Sequence, residues 1–375
     1  MARKPRKVRA DFRKNRSTRA RTGDWTRRID ANAAAADEEV HDERLSGKGE
    51  LTRRRTVMTD DASATNEAGQ LTVDLSQCLG GRVLRVQGLL SEVETPDGRH
   101  FRCATRRILK TLSTELRHVV CAGDLVQFRP AGEDEGIIER IEPRHGVLSR
   151  ASKRRQQTIV ANVDQLLIVA STGEPPLKPN LIDRFLVAAE KGSIHPIIVI
   201  NKIDLVEPAD LQPLIGVYAQ MGYPVVPVSA ALGTGVHRLR RLLAGKATAL
   251  AGQSGVGKSS LLNAIEPGLA LRVSHISAET QKGRHTTTTA ELLPLASGGY
   301  VIDTPGIRQF QLWDVVPAEV GGYFRDLRPF VSHCQFADCT HRHEEDCAVK
   351  NAVADDLLDA RRYESYLAIF EGDYA

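Results

Sequence analysis

The chain has 375 residues, 41% hydrophobic and 26% charged, which suits a soluble protein of two or three domains with a real core. Its longest apolar runs, such as "QLLIVA" and "PIIVI", fall far short of the roughly 18 residues that span a bilayer, and six cysteines at this length make no disulfide framework. The net charge of +4 conceals an asymmetry: residues 1–28 carry twelve Lys/Arg against two Asp, a net of +10, which leaves the remainder near −6.

The basic N-terminus runs into Ala- and acid-rich sequence rather than an apolar h-region, so no signal peptide is expected. A cytoplasmic protein without a membrane partner is the expectation. Residues 1–70 lack apolar periodicity and cannot bury enough surface to offset their ordering entropy, so a basic, largely disordered extension is expected. Twelve positive charges in 28 residues favour a polyanion contact over a solvated tail.

From 71 to 150 the texture changes to short alternating runs broken by Gly and Pro. "GRVLRVQGLLSEV", "GRHFRCAT", "GDLVQFRP" and "EGIIERIEP" predict four or five strands and a small OB-type β-barrel. Cys78, Cys103 and Cys121 fall here and read as core residues. From 151 to 312 apolar runs alternate with helical periods, which predicts a parallel sheet with helices on both faces. "VDQLLIVAS", "PIIVINKID", "YPVVPVSA", "KATALAGQSG" and "GGYVIDTPG" read as strands, and "NLIDRFLVAAEKG" as an amphipathic helix ending at Gly192. From 313 to 375 a helical segment, a Cys/His cluster and a final helix ("RRYESYLAIFEG") complete the chain.

Ligands of such sheets bind at the carboxyl ends of the strands, and the motifs lie there. "GQSGVGKSS" places Gly252, Gln253, Ser254, Gly255, Val256, Gly257, Lys258, Ser259 and Ser260 between a strand and a helix. It fits the phosphate-loop pattern, in which backbone N–H groups and the helix dipole cradle phosphates. Lys258 is expected to reach the β/γ-phosphates and Ser259 to bind Mg²⁺. Asp303 ends the strand "YVID"; it is expected to hold the Mg²⁺ shell through water, with the Gly306 N–H on the γ-phosphate.

"NKID" (Asn201, Lys202, Ile203, Asp204) supplies base choice. A carboxylate at Asp204 accepts from the guanine N1–H and N2 amine, a pair adenine does not offer. Asn201 is expected to brace the loops, the Lys202 stem to lie on the base, and Ser229–Ala230 in "VSA" to present a backbone N–H to guanine O6. In a standard GTPase the phosphate loop comes first; here it follows NKID and VSA. The motifs are the same and the chain is cut elsewhere, so the domain reads as circularly permuted.

The position after DTPG, where many GTPases carry a water-orienting glutamine, is Ile307, which has no polar group. "GRHTTTT" (283–289) is the switch-like segment, so His285 is the candidate to orient or deprotonate water. Thr286 and Thr287, among Thr286 to Thr289, are candidates for contacting Mg²⁺ or the γ-phosphate, and Arg284 is next in line for catalysis. Cys334, Cys339, His341 and Cys347 form a C-x4-C-x-H-x5-C set whose ligand types suit a closed tetrahedral zinc site, with His333 and His343 as alternative nitrogen ligands.

Taken together, NKxD ahead of "GQSGVGKSS", "GRHTTTT", "DTPG", the Cys-Cys-His-Cys cluster and "RYESYL" resemble the circularly permuted, small-ribosomal-subunit-dependent GTPases, the RsgA/YjeQ family. The resemblance covers about 71 to 370. It implies an OB barrel, a permuted GTPase domain (151–312) and a zinc-binding helical domain (313–375). It further implies a bacterial cytosolic protein that binds the small subunit and its rRNA late in assembly, with ribosome-stimulated GTP hydrolysis. GTP and GDP, Mg²⁺ and one structural Zn²⁺ are the expected ligands, and a monomer the expected state. The alternatives are a phosphate-loop GTPase acting on another RNA, such as transfer RNA, and an RNA-binding assembly factor using GTP only as an affinity switch.

Overall fold

The computed structural model describes residues 6–11, 54–59, 75–106, 109, 119–152, 155–269, 290–303 and 316–372. The chain divides into two compact units, Met1–Arg144 with Ser152–Thr158 and His145–Ala151 with Ile159–Ala375. Within 1–70 the described residues form one antiparallel pair, β1 (Arg6–Asp11) with β2 (Arg54–Thr59).

In the first unit, β3 (Leu79–Gln87), β4 (Leu90–Glu94), β5 (His100–Thr105), β6 (Leu125–Pro130) and β7 (Glu135–Ile141) form a closed barrel in the order β3-β4-β5-β7-β6. Closure comes from β6 pairing antiparallel with β3, and β5 and β7 run parallel. That order with its parallel pair is the five-stranded OB topology. Alternation along the strands turns Val93, Phe101, Cys103, Phe128 and Ile138 inward. Phe128 decides how tightly the barrel closes. A Cβ on Gly136 would sit 2.7 Å from its ring and one on Gly81 at 3.2 Å, so both strands need glycine where they pass it. Cys103 and Cys121 are buried, and burial pushes the Cys103 thiol up to about 12; Cys78, expected with them in the core, is only half-buried.

In the second unit, six strands line up: β10 (Val225–Pro227), β9 (His195–Asn201), β8 (Gln165–Ser171), β11 (Lys246–Ala251), β13 (Gly299–Asp303) and β12 (Glu291–Pro294). The first five are parallel. β8 and β9 are buried almost throughout, as strands covered on both faces must be. β12 departs from the all-parallel expectation by running antiparallel to β13. The reason is local: Leu295 to Gly298 make a tight turn with Gly298 and Gly299 at φ +77° and +84°, and so short a link can join only antiparallel neighbours.

Helices α1 (Pro179–Lys191), α2 (Gln212–Gln220), α3 (Val236–Leu243) and α4 (Lys258–Ile265) connect the strands. Gly192 does end α1, but at φ −78° it serves for space rather than for a left-handed cap: a Cβ there would lie 2.7 Å from the Val147 carbonyl. Helices α5 (Pro317–Tyr323), α6 (Arg328–Val331), α7 (Ala348–Ala354) and α8 (Ala360–Glu371) follow. They share one core, built on Val320, Phe324, Leu327, Val349 and Tyr366, with Val187 and Ala188 of α1. Among the described residues, no helix is long and apolar enough to cross a membrane.

Candidate nucleotide site and metal centre

β11 ends at the centre of the sheet and hands directly to the 252–257 loop and then to α4. Three glycines bend that loop, Gly252 at φ +139°, Gly255 at +85° and Gly257 at +89°. A side chain at Gly252 would run into the Val169 carbonyl of β8 at 2.2 Å, and one at Gly257 would strike Asn201 Nδ2 at 2.5 Å. Both positions therefore need glycine twice over, for their dihedrals and for the close approach. Val256 packs into the sheet core, which pins the loop from below. Lys258 Nζ donates to the carbonyls of Gly252 at 2.7 Å and Gln253 at 2.5 Å, so the ammonium lies across the mouth of the loop. Ser259 and Ser260 follow, half-buried, in the first turn of α4.

The NKID segment closes over this loop from the end of β9. Asn201 is 2% exposed and its amide works in both directions. Nδ2 donates to the Val256 carbonyl at 2.9 Å, and Oδ1 accepts from the Ala230 N–H at 3.1 Å. Lys202 sits in the left-handed region at φ +63° and donates from Nζ to the Gly255 carbonyl at 2.9 Å and to that of Glu174. Ile203 and Asp204 lie on a single 3₁₀ turn, where Asp204 is exposed and accessible to a base. Ser229 is fully buried, its hydroxyl accepting from the Leu232 N–H. The Ala230 N–H, within the "VSA" segment, is directed at Asn201 Oδ1. Segments 201–204, 229–230 and 252–259, separated in sequence, thus form one cluster at the strand ends.

β13 pairs with β11, which brings Asp303 to the strand end beside the phosphate loop. The Asp303 side chain, Gly306, His285, Thr286 and Thr287 lie outside the described residues.

The second cluster is the metal set. Cys334, Cys339, His341 and Cys347 bring their ligand atoms within 4.8 Å of one another. His341 Nδ1 is 3.4 Å from both Cys334 Sγ and Cys347 Sγ, and those two sulfurs are 3.9 Å apart. A tetrahedral ion with metal–sulfur bonds of about 2.3 Å separates its ligand atoms by about 3.6–3.8 Å, so the set fits a metal ion. His333 is exposed with Nδ1 on the Pro329 carbonyl, and His343 is exposed, so of the three rings it is His341 that joins the sulfur cluster.

Three residues hold this cluster, Glu344, which no motif singled out, and Tyr363 and Tyr366 of the "RYESYL" run. Glu344 accepts from the Thr340 N–H at 2.7 Å, the Thr340 hydroxyl at 2.6 Å and the Arg342 N–H at 2.8 Å. Burial would push its carboxyl up, but these hydrogen bonds outweigh it and hold the group well below the usual carboxylate range. Tyr363 donates to the His341 carbonyl at 2.6 Å and Tyr366 to that of Thr340 at 2.8 Å.

The "RYESYL" run has a physical role here. On α8, Arg362, Ser365, Tyr366 and Ile369 recur at helical spacing and form the buried face. Arg362 pairs with Asp183 of α1, and its Nε reaches Asp326 Oδ2 at 2.8 Å. Ser365 donates to Asn180 at 2.7 Å, and Arg325 Nε meets Glu190 at 2.6 Å. Helix α1 follows β8 in the chain, so a charged seam joins the nucleotide-site sheet to the helices around the Cys/His cluster.

A family model described as RsgA GTPase matches residues 141–313. The chain is 40% identical over 309 residues to the small ribosomal subunit biogenesis GTPase RsgA of Chlorobaculum parvum, covering 79% of this chain and 99% of that protein. Against the protein of the same name from Shewanella oneidensis it is 42% identical over 296 residues, covering 76% and 81%. Among solved structures, YjeQ from Thermotoga maritima matches with a TM-score of 0.65 at 36% identity, over 78% of this chain and 98% of that one. YloQ, a circularly permuted GTPase, matches with a TM-score of 0.62 at 32% identity, over 80% and 96%. At 40% and 42% identity over most of each chain, and with a circularly permuted GTPase among its structural neighbours, the chain belongs to the RsgA family of circularly permuted GTPases.

Proposed function

We propose that this protein hydrolyses GTP to GDP and phosphate in the late maturation of the small ribosomal subunit, and that the subunit stimulates the reaction. The observation that carries the reading is Asn201, whose one buried amide joins the base-reading, phosphate and VSA loops in a chain whose relatives are named small ribosomal subunit biogenesis GTPases.

Asp204 accepts from guanine N1–H and N2, and the Lys202 stem lies against the base. Lys258 exchanges the Gly252 and Gln253 carbonyls for β/γ-phosphate oxygens, and the N–H groups from Gly252 to Ser260 wrap the phosphates. Ser259 would hold Mg²⁺ directly and Asp303 through water, and the ion would supply positive charge against the phosphate oxygens. Gly306 and one of Thr286 to Thr289 meet the γ-phosphate, Thr286 and Thr287 being the candidates. His285 orients the attacking water and takes its proton as the new P–O bond forms and the bond to the β-phosphate oxygen breaks. Cys334, Cys339, His341 and Cys347 hold one structural zinc per chain, a choice supported by three thiolates with an imidazole and by the tetrahedral spacing.

The basic segment 1–28 contacts rRNA phosphates, and the protein acts in the cytoplasm as a monomer. The functional segments under this reading are 1–70, 71–150, 151–312 and 313–375. GTP turnover with and without purified small subunits tests it. A clear rise with subunits is expected; no rise, or a rise with transfer RNA instead, would replace the reading.

A further inference from the structure

The loop leaving β8, "STGEP" at 171–175, belongs to none of the motifs that define the nucleotide site. It nevertheless runs alongside NKID. The Thr172 N–H donates to the Asn201 carbonyl at 3.1 Å, continuing the parallel pairing of β8 with β9 for one more step. The Thr172 hydroxyl then donates to the Lys202 carbonyl at 2.5 Å.

That carbonyl occupies a decisive place. Lys202 has φ +63° and ψ +34°, a left-handed conformation that costs a non-glycine residue about 1–2 kcal/mol. Its carbonyl also accepts from the Leu205 N–H at 3.1 Å, the bond that closes the turn carrying Asp204. One oxygen therefore receives both the turn's own hydrogen bond and the Thr172 hydroxyl. On the far side the Ile203 N–H reaches the Val228 carbonyl at 3.3 Å. The same loop lies close against this turn at two more points: the Glu174 carbonyl accepts from Lys202 Nζ, and a Cβ on Gly173 would lie 2.7 Å from Leu205 Cδ1. The loop after β8 thus fits against the base-reading turn closely enough to set its position.

We infer that Thr172 is a positioning residue for guanine specificity: its hydroxyl holds the left-handed Lys202 turn and so aims the Asp204 carboxylate at the N1–H and N2 edge. The inference rests on the reading of Asp204 as the guanine acceptor and deepens it. It makes a demand that a general packing role does not. Losing the hydroxyl should weaken the part of binding that depends on the N2 amine more than the part supplied by the phosphate loop.

The test compares GTP with ITP, which lacks the N2 amine, by equilibrium titration of the full chain. Wild type should prefer GTP, because a site built to accept from that amine rejects the analogue without it. Thr172→Val removes the donor at nearly constant shape, and the GTP-to-ITP preference should fall about five- to tenfold, the worth of one hydrogen bond. Thr172→Ser keeps the hydroxyl and should restore it. Should Thr172→Val fold poorly, Thr172→Ala removes the same donor without added apolar bulk and is read the same way. An unchanged preference in the hydroxyl-free variants, an equal loss for both nucleotides, or a serine variant as weak as valine would each overturn the role of Thr172. A wild-type protein with no GTP preference over ITP would remove the Asp204 reading, and this inference with it.

Discussion

Asn201 Nδ2 donates to the Val256 carbonyl at 2.9 Å, which ties the end of β9 to a phosphate loop 55 residues further along the chain. The pair is buried, and Gly257 beside it can carry no side chain without striking the same amide. The NKID segment and the 252–257 loop are therefore tied directly together, although the permutation has reversed their order.

Asn201→Ala removes both bonds of that amide and leaves the Val256 carbonyl and Ala230 N–H without a side-chain partner. At about 1–3 kcal/mol for a buried group left unsatisfied, GTP affinity should fall roughly 5- to 150-fold. Calorimetric titration would measure it, and affinity within twofold of wild type would mean the bridge is not needed for binding.

Asp204→Asn should exchange base preference. An amide in place of the carboxylate loses the acceptor pair for N1–H and N2, so GTP weakens while xanthine, with O2 in place of the amine, gains relatively. Competition between GTP and XTP reads this directly; retained preference for GTP would take Asp204 out of the base site.

Metal analysis of the purified protein should find about one zinc per chain. Cys339→Ala should lose it and loosen the C-terminal helices, while GTP binding at 252–259 survives in part. Active protein with no zinc would contradict the assignment of the cluster.

Arg362→Met should strongly destabilise the protein, by about 3–5 kcal/mol, because it leaves Asp183 buried and uncompensated. Asp183 keeps the Tyr218 hydroxyl, at 2.8 Å, from the other side, a neutral group that does not replace the lost charge. The double variant Arg362→Met with Asp183→Leu should recover a measurable part of the loss in urea unfolding. Strict additivity of the two single changes would show that the pair does not couple α1 to α8.

His285→Ala should bind GTP and the small subunit normally yet lose most of the subunit-stimulated rate. Turnover under subunit saturation checks this. Full stimulated turnover would move the role to Arg284 or to a group supplied by the rRNA.

Sequence alone determined the chemistry of the site, because that chemistry depends on residue types at short fixed spacing. The phosphate loop, NKID, DTPG and the C-x4-C-x-H-x5-C set are each local, and their order along the chain already implied the permutation. Strand texture was legible for the same reason: alternation and buried apolar runs report on neighbours two to four residues apart. Tertiary structure decided what depends on residues that meet from far apart. It selected His341 over His333 and His343, because only that ring reaches the sulfurs. It turned the Ala230 N–H toward Asn201, set Thr172 on the Lys202 carbonyl, and paired Arg362 with Asp183 across 179 residues of chain. A hydrogen bond or ion pair of this kind leaves no periodicity in the sequence, since its partners are brought together only by the sheet and the helices that pack on it.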